Sequence, residues 1–196
     1  MEKDLLNRSF KMIIIGGSAG SLQVVLQLLP ELRLQLPVTI VIVLHRKPSH
    51  DETLVELLSA KTNWPVREVE EKEPILPNHI YIAPADYHLL VESDNTFSLD
   101  VSEKVNYSRP SIDIAFESAA EVYGASVLGI LLSGANADGQ EGMQNIKSAG
   151  GSCIVQDPDT AEVAYMPLQA ITHVEIDRVL HAEELAPFLN VLFEQR

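Results

Sequence analysis

The 196-residue sequence contains a single cysteine, Cys153, and this scarcity argues against two classes of protein. One cysteine cannot form an intramolecular disulfide, and a zinc site built from thiolates needs partners that this chain lacks. Cys153 follows two glycines in "GGSCIVQ", so we interpret it as a small strand residue rather than a nucleophile. Because His50, His79 and His173 have no acidic or histidine neighbours at ligand spacing, we assign no metal site. We also expect no cofactor.

Positive charge is also scarce, because 14 Lys and Arg residues face 28 Asp and Glu residues and give a formal net charge of −14. Without a basic run to neutralise phosphates, nucleic acid is not an expected partner. Apolar runs such as residues 38–44 fall far short of the roughly 20 residues that span a bilayer. The start, "MEKDLLNRSF", lacks the basic-then-apolar plan of a signal peptide. We therefore expect a cytoplasmic protein that does not insert directly into a membrane.

The apolar segments alternate between two types. "MIIIG" and "VTIVIVLH" are unbroken runs typical of buried parallel strands, and "SLQVVLQLLPEL" and "DETLVELLSAKT" have helical spacing. The same alternation returns after Pro110, whereas "VREV", "HIYIAP", "HLLVE" and "TFSLDV" are short segments that predict hairpin-like strands. We predict one domain over residues 1–196, with a three-layer, doubly wound α/β fold. Its sheet is mostly parallel and carries a short antiparallel hairpin insertion.

Three polar residues follow predicted strands at their carboxyl ends. Ser18 lies in the G-x-S-x-G spacing of "GGSAG" directly after the first strand, and His45 ends the second strand. Asp138 follows the strand "GILLSG" by a short turn. In an open parallel sheet, chemistry gathers in the crevice beyond the carboxyl ends of the strands. A serine, a histidine and an aspartate at one sheet edge are the components of a nucleophile, base and acid triad.

Each of these residues also has a structural alternative. Ser18 or Ser21 could cap the helix that follows, because serine accepts hydrogen bonds from unpaired N–H groups. Asp138 with Glu141 three residues later resembles a capping box for the next helix. His45 could be a strand-end histidine bonded to a loop. Their coincidence at three strand ends favours the catalytic interpretation.

A nucleotide site is the main competing interpretation of the first turn. A G-x-G-x-x-G register starting at Gly16 puts Ser18 and Ser21 where the second and third glycines belong. The second strand ends in His45 and Arg46 rather than in an acid for a ribose hydroxyl, so an NADP site using Arg46 remains only as an alternative. The elbow of α/β-hydrolases also has G-x-S-x-G spacing, but their chain order of serine, acid and histidine differs from the order here.

The sequence resembles the CheB-type chemotaxis receptor methylesterases over roughly residues 11–192. The motifs that carry the resemblance, in the family's order, are "IIIGGSAGS", "VLHR", "LPNHIYIAPADYHLLV", "RPSIDIAFES", "LLSGANADGQEGM", "GGSCIVQD" and "YMPLQAI". The resemblance implies a serine-type protein-glutamate methylesterase in which Ser18 is the nucleophile, His45 the base and Asp138 its orienter. The backbone N–H groups of Ala19 and Ala135 are the candidate oxyanion-hole donors.

The resemblance also implies a substrate and partners. The expected substrate is a methylated chemoreceptor or related signalling protein, with glutamine deamidation as a related activity. The family's Ser-Thr-Gly-Gly reads Ser-Ala-Gly-Ser from Ser18, and its Gly-Met-Gly reads Gly-Ala-Asn from Gly134, which changes the oxyanion hole and pocket walls. His88 and Arg109 lie in family-like motifs and either line the cleft or have structural roles.

Members of this family often carry an N-terminal receiver domain, whereas this sequence begins shortly before its first predicted strand. We therefore expect a standalone catalytic domain that is constitutive or regulated by a separate receiver or methyltransferase partner. A catalytically silent interaction module with the same fold is the remaining alternative.

Overall fold

The computed structural model describes residues 5–33, 37–47 and 53–194. Within these residues, seven parallel strands form the central sheet, and two antiparallel strands form a separate hairpin. The sheet strands are β1 (Met12–Gly17), β2 (Thr39–Leu44), β3 (Val66–Glu68), β4 (Ile80–Ile82), β7 (Val127–Leu131), β8 (Ser152–Gln156) and β9 (Arg178–Leu180). Across the sheet they lie in the order β3-β4-β2-β1-β7-β8-β9. The hairpin strands are β5 (His88–Val91) and β6 (Phe97–Asp100).

Helices cover both faces of the sheet. One face packs against α1 (Ser21–Glu31), α2 (Thr53–Ser59) and α6 (Leu185–Glu194). The other packs against α3 (Ile112–Tyr123), α4 (Gln140–Ser148), α5 (Tyr165–His173) and the hairpin. Side chains of β1 alternate between the two cores, as strand geometry requires. This arrangement confirms the predicted doubly wound fold. No helix in the described part of the chain is long and apolar enough to cross a membrane.

The segments "VREV" and "HIYIAP" differ from the prediction of hairpin-like strands. They form β3 and β4, which extend the main sheet in parallel beside β2. Only "HLLVE" and "TFSLDV" pair as an antiparallel hairpin. The prediction was wrong here because no helix separates β3 from β4, so the usual signal of a parallel crossover is missing from residues 69–79.

The order of the strands creates a switch point at β1. From β1 the chain continues to β2 on one side, and it returns much later to β7 on the other side. In such sheets the crevice beyond the carboxyl ends at the switch point is the usual binding site. Gly17 pairs with Leu44, so the residues that directly follow these two strands, Ser18 and His45, emerge side by side at that edge.

Candidate active site

The backbone of Ser18 is held in a tight turn between β1 and α1. Its N–H donates to Ser133 O at 2.9 Å, and its carbonyl oxygen accepts from the Ser21 N–H at 3.1 Å and from Ser21 Oγ at 2.5 Å. Gly20 has φ +80°, and a Cβ there would lie 2.5 Å from Glu162 Cβ, so this turn requires glycine.

The helix after this turn is not capped by a serine. The N-cap of α1 is Gly20, and no side chain caps the helix. The capping alternatives for Ser18 and Ser21 are therefore wrong: the Ser21 hydroxyl is a donor within the turn, and Ser18 lines a cavity of about 270 Å³ that it shares with His45.

The imidazole of His45 contacts a different residue at each ring nitrogen. Nε2 lies 2.7 Å from Asp138 Oδ2, and Nδ1 lies 3.3 Å from Ser108 Oγ. Because Nε2 faces the aspartate, Nδ1 is the nitrogen left to accept a proton. In the chymotrypsin arrangement the aspartate binds Nδ1, whereas here it binds Nε2. No hydrogen bond joins His45 to Ser18 among the described residues.

The carboxylate of Asp138 is fully buried at the N-terminus of α3. Besides His45, it accepts hydrogen bonds from Ser111 Oγ at 2.9 Å and from the backbone N–H groups of Ile112 at 2.7 Å and Asp113 at 3.1 Å. Burial alone would raise the pKa of Asp138. The hydrogen bonds from His45, Ile112 and Asp113 outweigh that effect and lower the pKa to about 2, so this side chain is ionised at neutral pH.

The capping box predicted for Asp138 and Glu141 is wrong. The N-cap of α4 is Gly139, and no side chain of that position caps the helix. Instead, Asp113 Oδ1 accepts from the Gly139 N–H at 2.8 Å and the Gly142 N–H at 2.7 Å. The N-termini of α3 and α4 meet, and the aspartate associated with each helix caps the other one. Such an exchange depends on helix packing, which a local sequence pattern does not contain.

Asp113 is a site residue that the sequence analysis missed. It is 6% exposed, and its Oδ2 accepts from Asn106 Nδ2 at 3.0 Å. Burial, together with the negative charge of Asp138, raises the pKa of Asp113 to about 7. The signal in the sequence was an acid in the first turn of a predicted helix, and such a residue is ordinarily attributed to the helix dipole.

The loop before α3 supplies two further residues that were not predicted, Asn106 and Ser108. Asn106 and Tyr107 have φ of +49° and +62°, and this backbone turns Ser108 toward His45. Asn136 Nδ2 lies 3.4 Å from the carbonyl oxygen of Asn106 and 3.3 Å from Ser108 Oγ. The loop thus contacts both His45 and the turn that carries Asp138.

The two N–H groups predicted as oxyanion-hole donors follow β1 and β7 in the sequence. Among the described residues, neither Ala19 N–H nor Ala135 N–H has an acceptor, whereas Gly134 N–H donates to Val163 O at 3.1 Å. Ser133 Oγ donates to Ala19 O at 2.7 Å and accepts from Val163 N–H at 2.9 Å. These bonds tie the loops after β1 and β7 together.

His88 and Arg109 are held by structural contacts. His88 is fully buried; its Nδ1 accepts from Ser111 N–H at 3.1 Å, and its Nε2 lies 3.0 Å from Glu103 O. Arg109 pairs with Asp86 at 2.8 Å and also lines a second cavity beside His45.

Other candidates from the sequence make contacts apart from Ser18, His45 and Asp138. Cys153 is buried in β8, and burial raises the pKa of its thiol, consistent with a strand residue. Arg46 forms an ion pair with Glu68. His50 lies outside the described residues.

These observations define a doubly wound α/β protein with a serine, a histidine and an aspartate at its topological switch point. A family model described as CheB methylesterase matches residues 13–189. The chain therefore belongs to the CheB methylesterase family, and this membership favours an esterase over the nucleotide-binding alternative.

Individual relatives agree with this assignment. A protein named as a candidate protein-glutamate methylesterase/protein-glutamine glutaminase of Leptospira interrogans is 45% identical over 178 residues, covering 91% of this chain and 92% of the relative. The protein-glutamate methylesterase/protein-glutamine glutaminase of Thermotoga maritima is 34% identical over 180 residues, covering 90% of this chain and 52% of the relative. The crystal structure of the Thermotoga maritima CheB methylesterase catalytic domain matches with a TM-score of 0.89 and 33% identity, covering 96% of this chain and all of that one.

Proposed function

We propose that this chain is a serine-type protein-glutamate methylesterase that hydrolyses glutamyl γ-methyl esters on chemoreceptors. Ser18 is the nucleophile, His45 the base and Asp138 the residue that orients the base. The observation that carries the proposal is the 2.7 Å contact between His45 Nε2 and the buried Asp138 carboxylate at the sheet edge where Ser18 emerges. Membership of a methylesterase family supports the same conclusion.

In the proposed mechanism the hydrogen bond to Asp138 keeps the His45 proton on Nε2, so Nδ1 is free to act as the base. Nδ1 takes the Ser18 proton while Oγ attacks the ester carbonyl carbon. The protonated imidazole then gives its proton to the departing methoxide, which leaves as methanol. The free N–H groups of Ala19 and Ala135 stabilise the oxyanion.

Water completes the cycle by attacking the acyl-enzyme with His45 again as the base. In the resting structure Ser108 Oγ contacts Nδ1, and this contact must open for Ser18 to transfer its proton. Catalytic hydrogen bonds are often long or incomplete before the substrate binds.

Glutamine deamidation is a second proposed activity of the same site. The relatives in Leptospira and Thermotoga are both named for a glutaminase as well as a methylesterase activity. A glutamine side chain would form the same acyl-enzyme, with ammonia leaving instead of methanol, so no additional residue is required.

A serine-directed fluorophosphonate tests the identity of the nucleophile. We expect stoichiometric labelling of Ser18, located by peptide mapping, because a serine with a paired base is activated. Labelling should disappear in Ser18→Ala and persist in Ser108→Ala, a matched control that removes the hydroxyl observed on His45. Persistent labelling of Ser18→Ala, or loss of labelling in Ser108→Ala alone, would assign the nucleophile to another residue.

A further inference from the structure

A second cavity beside His45 concentrates positive charge in an otherwise acidic protein. Its volume is about 300 Å³, and Asp86 is the one acidic residue among its described lining residues. The chain has a net charge of −14 and only 14 basic residues. Four of them line this cavity: Arg46, Lys47, Lys104 and Arg109.

Two of the four cations are already engaged, and two are not. Arg109 pairs with Asp86 at 2.8 Å, and Arg46 pairs with Glu68. Lys47 and Lys104 are exposed and have neither an ion pair nor a hydrogen bond among the described residues. Within the described part of the chain, the cavity therefore presents two lysine ammonium groups beside His45 that form no ion pair. The hydrogen bond from Arg109 lowers the pKa of the Asp86 carboxyl, and Lys104 is close enough to help lower it.

An aromatic side chain projects from the rim of the same cavity. Tyr107 is 98% exposed, although both of its neighbours are anchored in the site. Asn106 contacts Asp113, and Ser108 contacts His45. Tyrosine is enriched among the residues that contribute most binding energy at protein interfaces, and Tyr107 is placed to contact a protein segment bound in this cavity.

We propose that this cavity binds carboxylate side chains of the protein substrate that flank the scissile ester, with Lys47 and Lys104 as the recognition residues. The inference rests on the proposed function, because it requires the ester to occupy the neighbouring cavity lined by Ser18. The two cavities share His45, Arg46 and Lys47, so a substrate with its ester in one places adjacent residues in the other.

The positive charge of the cavity matters because the rest of the protein is acidic. An enzyme of net charge −14 repels an acidic protein segment at long range. A local positive cleft overcomes that repulsion at the site itself and selects esters with acidic neighbours. The ammonium groups of Lys47 and Lys104 are the lining groups that a carboxylate of the substrate can pair with.

The test compares two synthetic peptides that each carry one glutamyl γ-methyl ester, flanked by glutamates in one and by glutamines in the other. We measure methanol release by the full chain. We expect kcat/KM to favour the acidic peptide by about three- to tenfold at low salt, which is the effect expected of two partly exposed ion pairs. The difference should arise from a lower KM for the acidic peptide. The preference should shrink in about 0.5 M salt, where the Debye length is about 4 Å.

Two double variants test whether the lysines of this cavity cause the preference for the acidic peptide. The double variant Lys47→Gln/Lys104→Gln should bring the kcat/KM ratio of the two peptides close to one. The control Lys61→Gln/Lys72→Gln removes the same total charge from exposed lysines that line neither cavity and should keep the ratio. All four lysines are exposed, and melting temperatures verify that the variants fold.

The outcomes separate this inference from the proposed function. Equal kcat/KM for both peptides, or a preference that survives in Lys47→Gln/Lys104→Gln, overturns the role of the cavity. Failure of the proposed function has a different signature, because neither peptide would then release methanol above the rate of Ser18→Ala.

Discussion

The two ring nitrogens of His45 lie in contrasting surroundings. On the Nε2 side, the buried carboxylate of Asp138 is held by Ser111 and by the N-terminal backbone of α3. On the Nδ1 side, the ring has one contact among the described residues, to Ser108 Oγ at 3.3 Å. His45 lines two open cavities. The fold thus fixes the Nε2 side of His45, whereas the Nδ1 side, where the proposed chemistry takes place, is held by one contact. In the proposed mechanism, this preorganisation spares the reaction the cost of reorienting dipoles.

We call the Nε2 side of His45 the rigid side and the Nδ1 side the adaptable side. On the rigid side, two carboxyl groups lie close together. Asp138 keeps its charge because His45 and two backbone N–H groups stabilise it, whereas Asp113 bears the electrostatic cost as a raised pKa. The exchange of caps between α3 and α4 therefore links the orientation of His45 to the packing of two helices.

The largest expected effect tests whether both sides of His45 serve one reaction. Ser18→Ala and His45→Ala should each lower kcat by about four to six orders of magnitude, because members of a triad act as a unit. The double variant should be no slower than the worse single variant. Methanol release from a methyl ester peptide measures all three. A double variant slowed by the product of the single effects would show that the two residues act independently.

The second prediction concerns the rigid side alone. Asp138→Asn should cut turnover by up to about four orders of magnitude, because the amide no longer holds the His45 proton on Nε2. It should also lower stability by about 1–3 kcal/mol, since a single amide oxygen cannot accept from all the donors that surround Asp138. Turnover and chemical denaturation are measured on the same preparation.

A matched variant separates catalysis from stability at Asp138. Ser111→Ala removes a donor to Asp138 and the N-cap of α3, which costs about 1 kcal/mol, but leaves the contact between Asp138 and His45. It should retain much more turnover than Asp138→Asn. Equal turnover losses in the two variants would mean that Asp138 acts only by holding the fold.

The sequence predicted the sheet edge where the candidate site lies. Unbroken β-branched runs identify buried parallel strands, and the carboxyl ends of neighbouring parallel strands lie at one edge of the sheet. The sequence alone therefore predicted that Ser18, His45 and Asp138 lie at the same edge. The partners of Asp138 could not be predicted. The local aspartate and glutamate pattern predicts that Asp138 caps the next helix along the chain. In the fold, its carboxylate instead accepts hydrogen bonds from the N-terminal N–H groups of α3.

The same reason explains the other omissions. Ser108 and Asn106 belong to a loop whose path depends on left-handed backbone at Asn106 and Tyr107, which no periodic pattern encodes. The parallel pairing of β3 and β4 could not be predicted either, since short strands look alike in sequence whichever direction their partners run.

The third prediction uses pH to separate the two aspartates. Asp113 has a pKa of about 7 in the folded protein against an ordinary value of 3.8, so the stability it contributes is complete below pH 4 and is lost as pH rises through 7. Asp113→Asn cannot ionise, and its amide oxygen can still accept from Gly139 and Gly142. Its unfolding free energy relative to wild type should therefore improve between pH 4 and 7, by up to a few kcal/mol.

Asp138 should behave in the opposite way. Its pKa of about 2 in the folded protein lies below 3.8, so its stabilisation is present above pH 4 and is lost as pH falls toward 2. Denaturant unfolding of wild type and Asp113→Asn at several pH values between about 2 and 8, about one unit apart, covers both windows. A stability difference that stays constant from pH 4 to 7 would contradict a shared, unequal ionisation of the pair.

The smallest expected effect concerns the adaptable side of His45. Ser108→Ala removes the hydroxyl that contacts Nδ1 and should raise kcat/KM by about fivefold at most. A neutral hydrogen bond contributes about 1 kcal/mol net, and this one must open before Ser18 can transfer its proton. Ser148→Ala, which removes an exposed hydroxyl on α4, is the control and should leave kcat/KM unchanged. A loss of tenfold or more in Ser108→Ala would mean that this hydroxyl takes part in the chemistry, and both sides of His45 would then have to be regarded as preorganised.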